Sequence, residues 1–296
     1  MPDTAQGLSW RAMTGADLPA LTALAALCLE ADGGQPFAAS PDFLQRSYPP
    51  GQLTRLGFVD DQLVCAASLH GGWLATPGSA DHAITTGLVH PAWRRRGIGR
   101  QAFAWARAQA GSGGIRAETE ALSDGAHALY LGHGLSQVFA EDVMQLAATA
   151  AVPRASPPAS LKFTPWGSTD PARFFAVYDA AFRERPNFPG RTQAQWIDWI
   201  SDDDDFRAEY TLLAVADGID TGFVAGAATG WIVQLGVAPR GRGRDIGACM
   251  IAEVVSRMRA GGETSITLNV AIDNPHAQRL YCRTGFSRTG RRARYA

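Results

Sequence analysis

The sequence predicts a mixed α/β fold built twice, each copy a mixed, mostly antiparallel sheet flanked by helices. Short strand-like runs alternate with helix-like runs in the order β-α-α-β-β-β-α-β-α-β, and that order recurs after an Ala/Pro/Ser-rich stretch, AATAAVPRASPPAS. Matched positions also recur at nearly constant spacing. Leu8 and Asp17 pair with Leu161 and Asp170 at an offset of 153, and Tyr130 and Gly134 with Tyr281 and Gly285 at 151. Between them, Val89, Pro91, Arg94 and Gly99 pair with Val237, Pro239, Arg242 and Gly247 at 148. Three recurrences with so little drift indicate an internal duplication. The expected boundaries are a first domain at 1–148, a linker at 149–160 and a second domain at 161–296.

In the first copy a strand is expected at 8–13, followed by a polar turn whose Asp17 caps a helix at 17–30. A second helix near 41–47 and strands at 53–59 and 62–69 follow. Next come a strand at 82–89, a helix at 98–110, a strand at 115–120, a helix at 123–132 and a hairpin at 135–147. The second copy begins with a strand at 161–166, helices at 170–183 and 192–200, and strands at 210–216, 222–228 and 231–237. It continues with a helix at 246–260, a strand at 264–270, a helix at 274–283 and a short last strand.

Composition narrows the class. Hydrophobic residues at 46% and charged residues at 19% are the balance of a soluble globular chain. A formal net charge of −1 gives no overall field toward nucleic acid or an anionic membrane, and the basic RTGRRARYA stands alone. Cys28, Cys65, Cys249 and Cys282 form no CxxC pair, so neither a zinc site nor a disulfide framework is expected. The start, MPDTAQGLSW, lacks a signal-peptide pattern, and the apolar run LPALTALAALCL is too short to span a bilayer. A cytoplasmic monomer or homodimer without a bound metal is the expectation.

The chemistry concentrates in the strand-turn-helix segments VHPAWRRRGIG and VAPRGRGRDIG. Glycines let backbone approach an anion, a helix start offers free N–H groups, and arginines add charge-assisted contacts. Those are the needs of a pyrophosphate. Three readings compete: a solvated basic turn, a dinucleotide turn through GIGRQA, and a coenzyme A turn. Against the second, a proline and three arginines separate the strand from the glycines, and the second copy lacks the glycine pattern.

Val-x-Pro followed by Arg-x-x-Gly-x-Gly at a helix start resembles the coenzyme A pyrophosphate turn of the GNAT acetyltransferase superfamily. Here the matching residues are Val89, Pro91, Arg94, Gly97 and Gly99. The family's second signature, an Asn, a short helix, a Tyr and a Gly-Phe step, is similar to DNPHAQRLYCRTGF with Asn274, Tyr281, Gly285 and Phe286. The resemblance covers nearly the whole chain as two copies and implies a tandem GNAT protein.

It implies acetyl-CoA as acyl donor and direct attack on its thioester by a primary amine, most simply that of a small molecule. Backbone N–H groups at the strand ends Leu88-Val89 and Leu235-Gly236-Val237 would polarise the thioester carbonyl. Coenzyme contacts would come from Leu88, Val89, Arg94, Arg95, Arg96, Gly97, Ile98, Gly99 and Arg100 in the first copy. Their counterparts are Leu235, Val237, Arg242, Gly243, Arg244, Ile246 and Gly247, with Asn274 at the second signature. Tyr281 or Tyr130 would protonate the leaving thiolate, with Asn274 beside it. Asp81 and His82 are the candidates for a base. Asp245 stands where the first copy has Gly97, and Ser123 where the second has Asn274. A carboxylate ~4 Å from a pyrophosphate costs about 1 kcal/mol at water-like screening and more when buried, unless Asp245 serves as a cap. On the acceptor side, Phe188, Trp196 and Trp199 are expected as apolar walls, with Asp202–Asp205 as an attraction for cations and Asp32 and Phe37 in the other copy. A protein amine as acceptor, and a non-catalytic acyl-CoA-binding module, are the alternatives.

Overall fold

The structure, a computed structural model, describes residues 7–71, 83–111, 114–147, 149–153, 155–185 and 188–296. Its first half runs β1 (Ser9–Met13), α1 (Leu18–Asp32), α2 (Pro41–Ser47), β2 (Gly51–Val59), β3 (Gln62–Gly71) and β4 (Ala83–Val89). It goes on through α3 (Ile98–Ala110), β5 (Ile115–Thr119), α4 (Asp124–Gly132) and β6 (Gln137–Ala147). The second half runs β7 (Lys162–Pro165), α5 (Pro171–Phe182), α6 (Gln193–Ser201), β8 (Leu212–Ala216), β9 (Ile219–Gly226) and β10 (Trp231–Val237). It closes with α7 (Ile246–Ala260), β11 (Ser265–Ala271), α8 (Pro275–Arg283) and β12 (Ser287–Tyr295).

Two elements depart from the sequence expectation. Where a hairpin is expected at 135–147, residues 137–147 make one long strand, β6. The last strand is nine residues long and pairs antiparallel with β5, Ala293 opposite Thr119 and Tyr295 opposite Ala117. Both depend on a partner contributed from far along the chain, which local pattern does not report.

Two compact units result. One comprises residues up to Val143 together with Thr289–Ala296; the other is Met144–Arg288. In the first, the strand order is β1-β2-β3-β4-β5-β12-β6. Neighbours pair antiparallel from β1 to β4, and β4 pairs parallel with β5. Helices cover both faces, so β3 is buried on both sides. Its Leu63 and Ala66 join Leu21, Leu24 and Cys28 of α1, Leu44 of α2 and Tyr48 just after it. Val64, Cys65 and Ala67 face Ile98 and Ala102 of α3. The apolar run of α1 buries Leu21, Leu24, Ala25 and Cys28, one stripe at helical spacing.

The second unit repeats the plan, with strand order β11-β10-β9-β8-β7 and β10 parallel to β11. Helix α7 buries Ile246, Met250, Ile251, Val254, Val255 and Met258 on one face. The other face is aromatic: Phe174, Tyr178, Trp196 and Phe223 form its core, with Tyr178 stacked on Trp196 at 4.9 Å. Asp170 caps α5 as expected, its carboxylate accepting from the Ala172 N–H at 2.8 Å. Asp17 does not cap α1 through its side chain. It instead accepts from the Thr14 N–H at 2.8 Å and from both ends of the Arg11 guanidinium.

Candidate active site

In each unit the two parallel strands pair only at their start. Ala83, Ile84 and Thr85 of β4 meet Ile115, Arg116 and Ala117 of β5. Beyond Thr85 the strands part, and Gly87 and its neighbours on β4 lose burial. In the second unit only Trp231 and Ile232 pair with β11, and the rest of β10 diverges. Each parting leaves a wedge lined by the backbone of one strand end, Leu88-Val89 in the first copy and Leu235-Gly236-Val237 in the second. The wedges differ in one respect. β4 keeps an unbroken register with β3 from Gly71 opposite Ala83 to Cys65 opposite Val89. β10 slips against β9 between Ile232 and Gln234, so Val233 bulges and takes no partner there.

Both strand ends feed the same turn. Val89 leads to a 3₁₀ turn at Pro91–Trp93 and Val237 to one at Pro239–Gly241. Two positions in each turn then adopt left-handed backbone. They are Arg95 (φ 66°) and Gly97 (φ 79°) in the first copy, and Gly243 (φ 76°) and Asp245 (φ 55°) in the second. At an offset of 148 these are the same two positions, so each copy places glycine at one and a side chain at the other. Asp is among the residues that tolerate this conformation, which explains why the second turn keeps its shape without the glycine. The Asp245 side chain does not cap α7, and no side chain caps α3. The first-turn N–H groups therefore face outward at both helix starts. Ile98 and Ile246, each 1% exposed, anchor those helices in the core. Gly99 and Gly247 serve helix packing, and a Cβ on Gly247 would stand 2.9 Å from the Leu280 side chain.

The arginines divide unequally. Arg94 gives both guanidinium ends to Asp32, each at 2.6 Å, and its Nε to the Val89 carbonyl at 3.1 Å. Arg96 lies over the Trp93 ring. Arg95 and Arg100 are exposed and have no partner among the described residues. In the second turn Arg240 donates to the Asp220 carbonyl, Arg242 to the Val237 and Ala181 carbonyls, and Arg244 to the Asp217 carboxylate. The first cradle thus combines unpaired cations with an open helix start, a fit for a pyrophosphate. The second has its arginines engaged and adds the exposed Asp245.

Tyr130 and Tyr281 sit near the ends of α4 and α8 and are 6% and 7% exposed. Burial pushes the Tyr130 phenol well above its ordinary range, so it stays protonated. It packs on Phe103 and on Tyr295, the latter contributed by β12 and hydrogen-bonded to His127 at 2.6 Å. Asn274 and Ser123 do the same local work: each is an N-cap, accepting from Ala277 and Ala126 respectively. The exchange between copies therefore preserves the helix start.

On the acceptor side, Trp196 is fully buried and belongs to the core, its Nε1–H donating to Gln234 of β10 at 3.2 Å. Phe188 packs on Tyr178, and Trp199 is exposed beneath the Arg191 guanidinium. Asp32 points to Arg94 and away from an acceptor role. Asp81 and His82 lie outside the described residues. The Val233 bulge, the pairing of Asp32 with Arg94 and that of Asp217 with Arg244 are features that sequence reasoning missed. A bulge and a carboxylate's distant partner leave no periodic signal.

Paired wedges, each ending on an open helix start, are the plan of a tandem α/β fold with an anion-ready turn in each copy. The Acetyltransferase (GNAT) family matches the chain at residues 19–135 and 166–286. The chain belongs to that family and is a tandem acetyltransferase, an acyltransferase by class. It is 27% identical over 282 residues to a mycothiol acetyltransferase of Renibacterium salmoninarum, covering 90% of this chain and 82% of that one. It is 28% identical over 291 residues to the mycothiol acetyltransferase of Mycolicibacterium smegmatis, covering 94% of each. Among solved structures it resembles a GCN5-related N-acetyltransferase from Sphaerobacter thermophilus, with TM-score 0.73, 24% identity and coverage of 98% and 95%. It also resembles a tandem GNAT protein from the clavulanic acid biosynthesis pathway, with TM-score 0.59, 18% identity and coverage of 97% of each chain. No helix among the described residues is long and apolar enough to cross a membrane.

Proposed function

We propose that this protein transfers an acetyl group from acetyl-CoA to the primary amine of a small molecule, and that transfer takes place in the second unit. The observation that carries the choice of unit is the bulge at Val233 in the wedge between β10 and β11. A bulge re-aims backbone groups and frees them from the ladder, which is what an N–H needs to meet a thioester carbonyl. The amine attacks that carbonyl, a C–N bond forms and the C–S bond breaks. The amine gives up one proton to solvent, and the departing sulfur takes one from Tyr281, which lies on α8 in the core cluster that Ile232 of β10 and Leu268 of β11 also join, and which regains its proton from solvent. The first unit, with the more cationic cradle, is the stronger coenzyme site. The full-length similarity to mycothiol acetyltransferases supports a small-molecule acceptor over a protein amine.

The test is release of free coenzyme A from acetyl-CoA across a panel of small amines and amino sugars, with peptide amines alongside. Turnover on a small amine is the expected result. Preference for peptides overturns the acceptor class. Acetyl-CoA binding without release by any amine leaves a non-catalytic acyl-CoA module.

A further inference from the structure

Arg94 occupies the arginine position of the coenzyme turn, yet its charge is already met. Its two terminal nitrogens form a planar fork with Asp32, at 2.6 Å each, and the carboxylate is only 10% exposed. Such a bidentate pair occupies the terminal fork and neutralises the charge that would otherwise face a second anion. The Nε–H reaches the Val89 carbonyl at 3.1 Å, where the Cys28 thiol also donates at 3.4 Å. Val89 ends β4 just where that strand has parted from β5, so its peptide has a neighbour strand on one side only.

The second copy repeats the grip with different chemistry. Arg242 gives its Nε to the Val237 carbonyl at 3.4 Å, and a backbone carbonyl, that of Ala181 on α5, stands in for the carboxylate. What the two copies share is the hold on the strand-end carbonyl. The carboxylate belongs to the first copy alone. The anchor itself is rigid: Asp32 is the last residue of α1, and the next residue, Gly33, turns the chain with φ 66°.

We infer that Asp32 is a positioning residue for coenzyme binding by the first unit. It acts through Arg94, which it neutralises and aims at the Val89 carbonyl, while Arg95 and Arg100 supply the charge that meets phosphate. This rests on the coenzyme reading given above, and it predicts an effect opposite in sign to simple electrostatics. Removing a carboxylate near an anionic ligand tightens binding if Arg94 is itself a phosphate ligand. It weakens binding if the carboxylate holds Arg94 on the strand end.

The experiment is calorimetric titration of the full chain with acetyl-CoA, well below its melting temperature. Asp32→Asn is expected to weaken the first-unit site about tenfold, with Asp32→Glu retaining most of the affinity. Arg94→Lys, which keeps the charge but loses the fork, is expected to weaken it comparably. Equal or tighter binding by Asp32→Asn overturns the inference while leaving the coenzyme reading intact. An Arg94→Lys change of less than threefold also overturns it, and that arm decides the matter if Asp32→Asn fails to fold. No acetyl-CoA binding by the unaltered chain overturns both readings.

Discussion

Asp245 holds in the second turn the left-handed backbone position that Gly97 holds in the first, φ 55° against φ 79°. A Cβ on Gly97 would meet nothing within 4 Å. Gly97→Asp should therefore fold normally and lose coenzyme affinity for an electrostatic reason alone. About tenfold is expected from one carboxylate ~4 Å from a pyrophosphate. The reciprocal Asp245→Gly should gain a similar factor at the second turn. Calorimetry on both variants, repeated at high salt to shrink the difference, checks the pair.

Tyr281→Phe should lower turnover on an active amine by 10²-fold or more, the usual scale of a positioned proton donor, with coenzyme affinity little changed. Tyr130→Phe should leave turnover within about threefold. Steady-state kinetics with each variant decide between the units, and the reverse pattern would move catalysis to the first.

Asp17 gives the chain an acid-sensitive element. The Arg11 guanidinium, with Thr14, holds its carboxyl well below the usual carboxylate range, against the opposing effect of burial. A carboxyl depressed in the folded state stabilises above its unfolded value, near 4, and that contribution is lost as pH falls through the folded value. Asp17→Asn should cost about 1 kcal/mol at neutral pH, as loss of a local cap does, and flatten the stability curve below pH ~4. Urea midpoints measured from pH 7 downward test this.

Gly34→Ala should be far more damaging than its size suggests. Gly34 adopts φ 137°, and an added Cβ would lie 2.4 Å from the Glu120 carbonyl oxygen and 2.7 Å from Ala121 Cα. Both are backbone atoms of one neighbouring segment that must shift, so a loss above about 2 kcal/mol is expected. A thermal melt beside Gly51→Ala provides the control: Gly51 has a similar positive φ, 128°, but open space.

Much of this molecule was legible before its structure. Helix α3 and the β4 end at Val89 fall where apolar periodicity placed them, because one-sided burial imposes a regular stripe. The cradle was legible through its glycine and arginine spacing, and the left-handed angles at Gly97 and Gly243 are the physical content of that spacing. What local pattern did not carry was pairing. Nothing in FAEDVM states that residues 137–147 run straight through without a turn, since the strand's partners lie elsewhere in the chain. The same holds for Asp32, whose meaning comes from an arginine 62 positions later. Trp196 misled for a related reason: an aromatic in a loop-proximal helix reads alike whether it lines a cleft or fills a core.

The place of β12 in the first unit also bears on how the protein is made. Emerging from the ribosome, the first half meets every partner it needs except the strand that covers β5. That strand, Ser287–Tyr295, comes after all the other strands and helices of the second half. At about 5–20 residues per second the open edge of β5 waits many seconds while the second half is translated. During that interval it is a ready template for pairing with another nascent chain. The duplicated gene has thereby bound the maturation of its first product to the completion of its second.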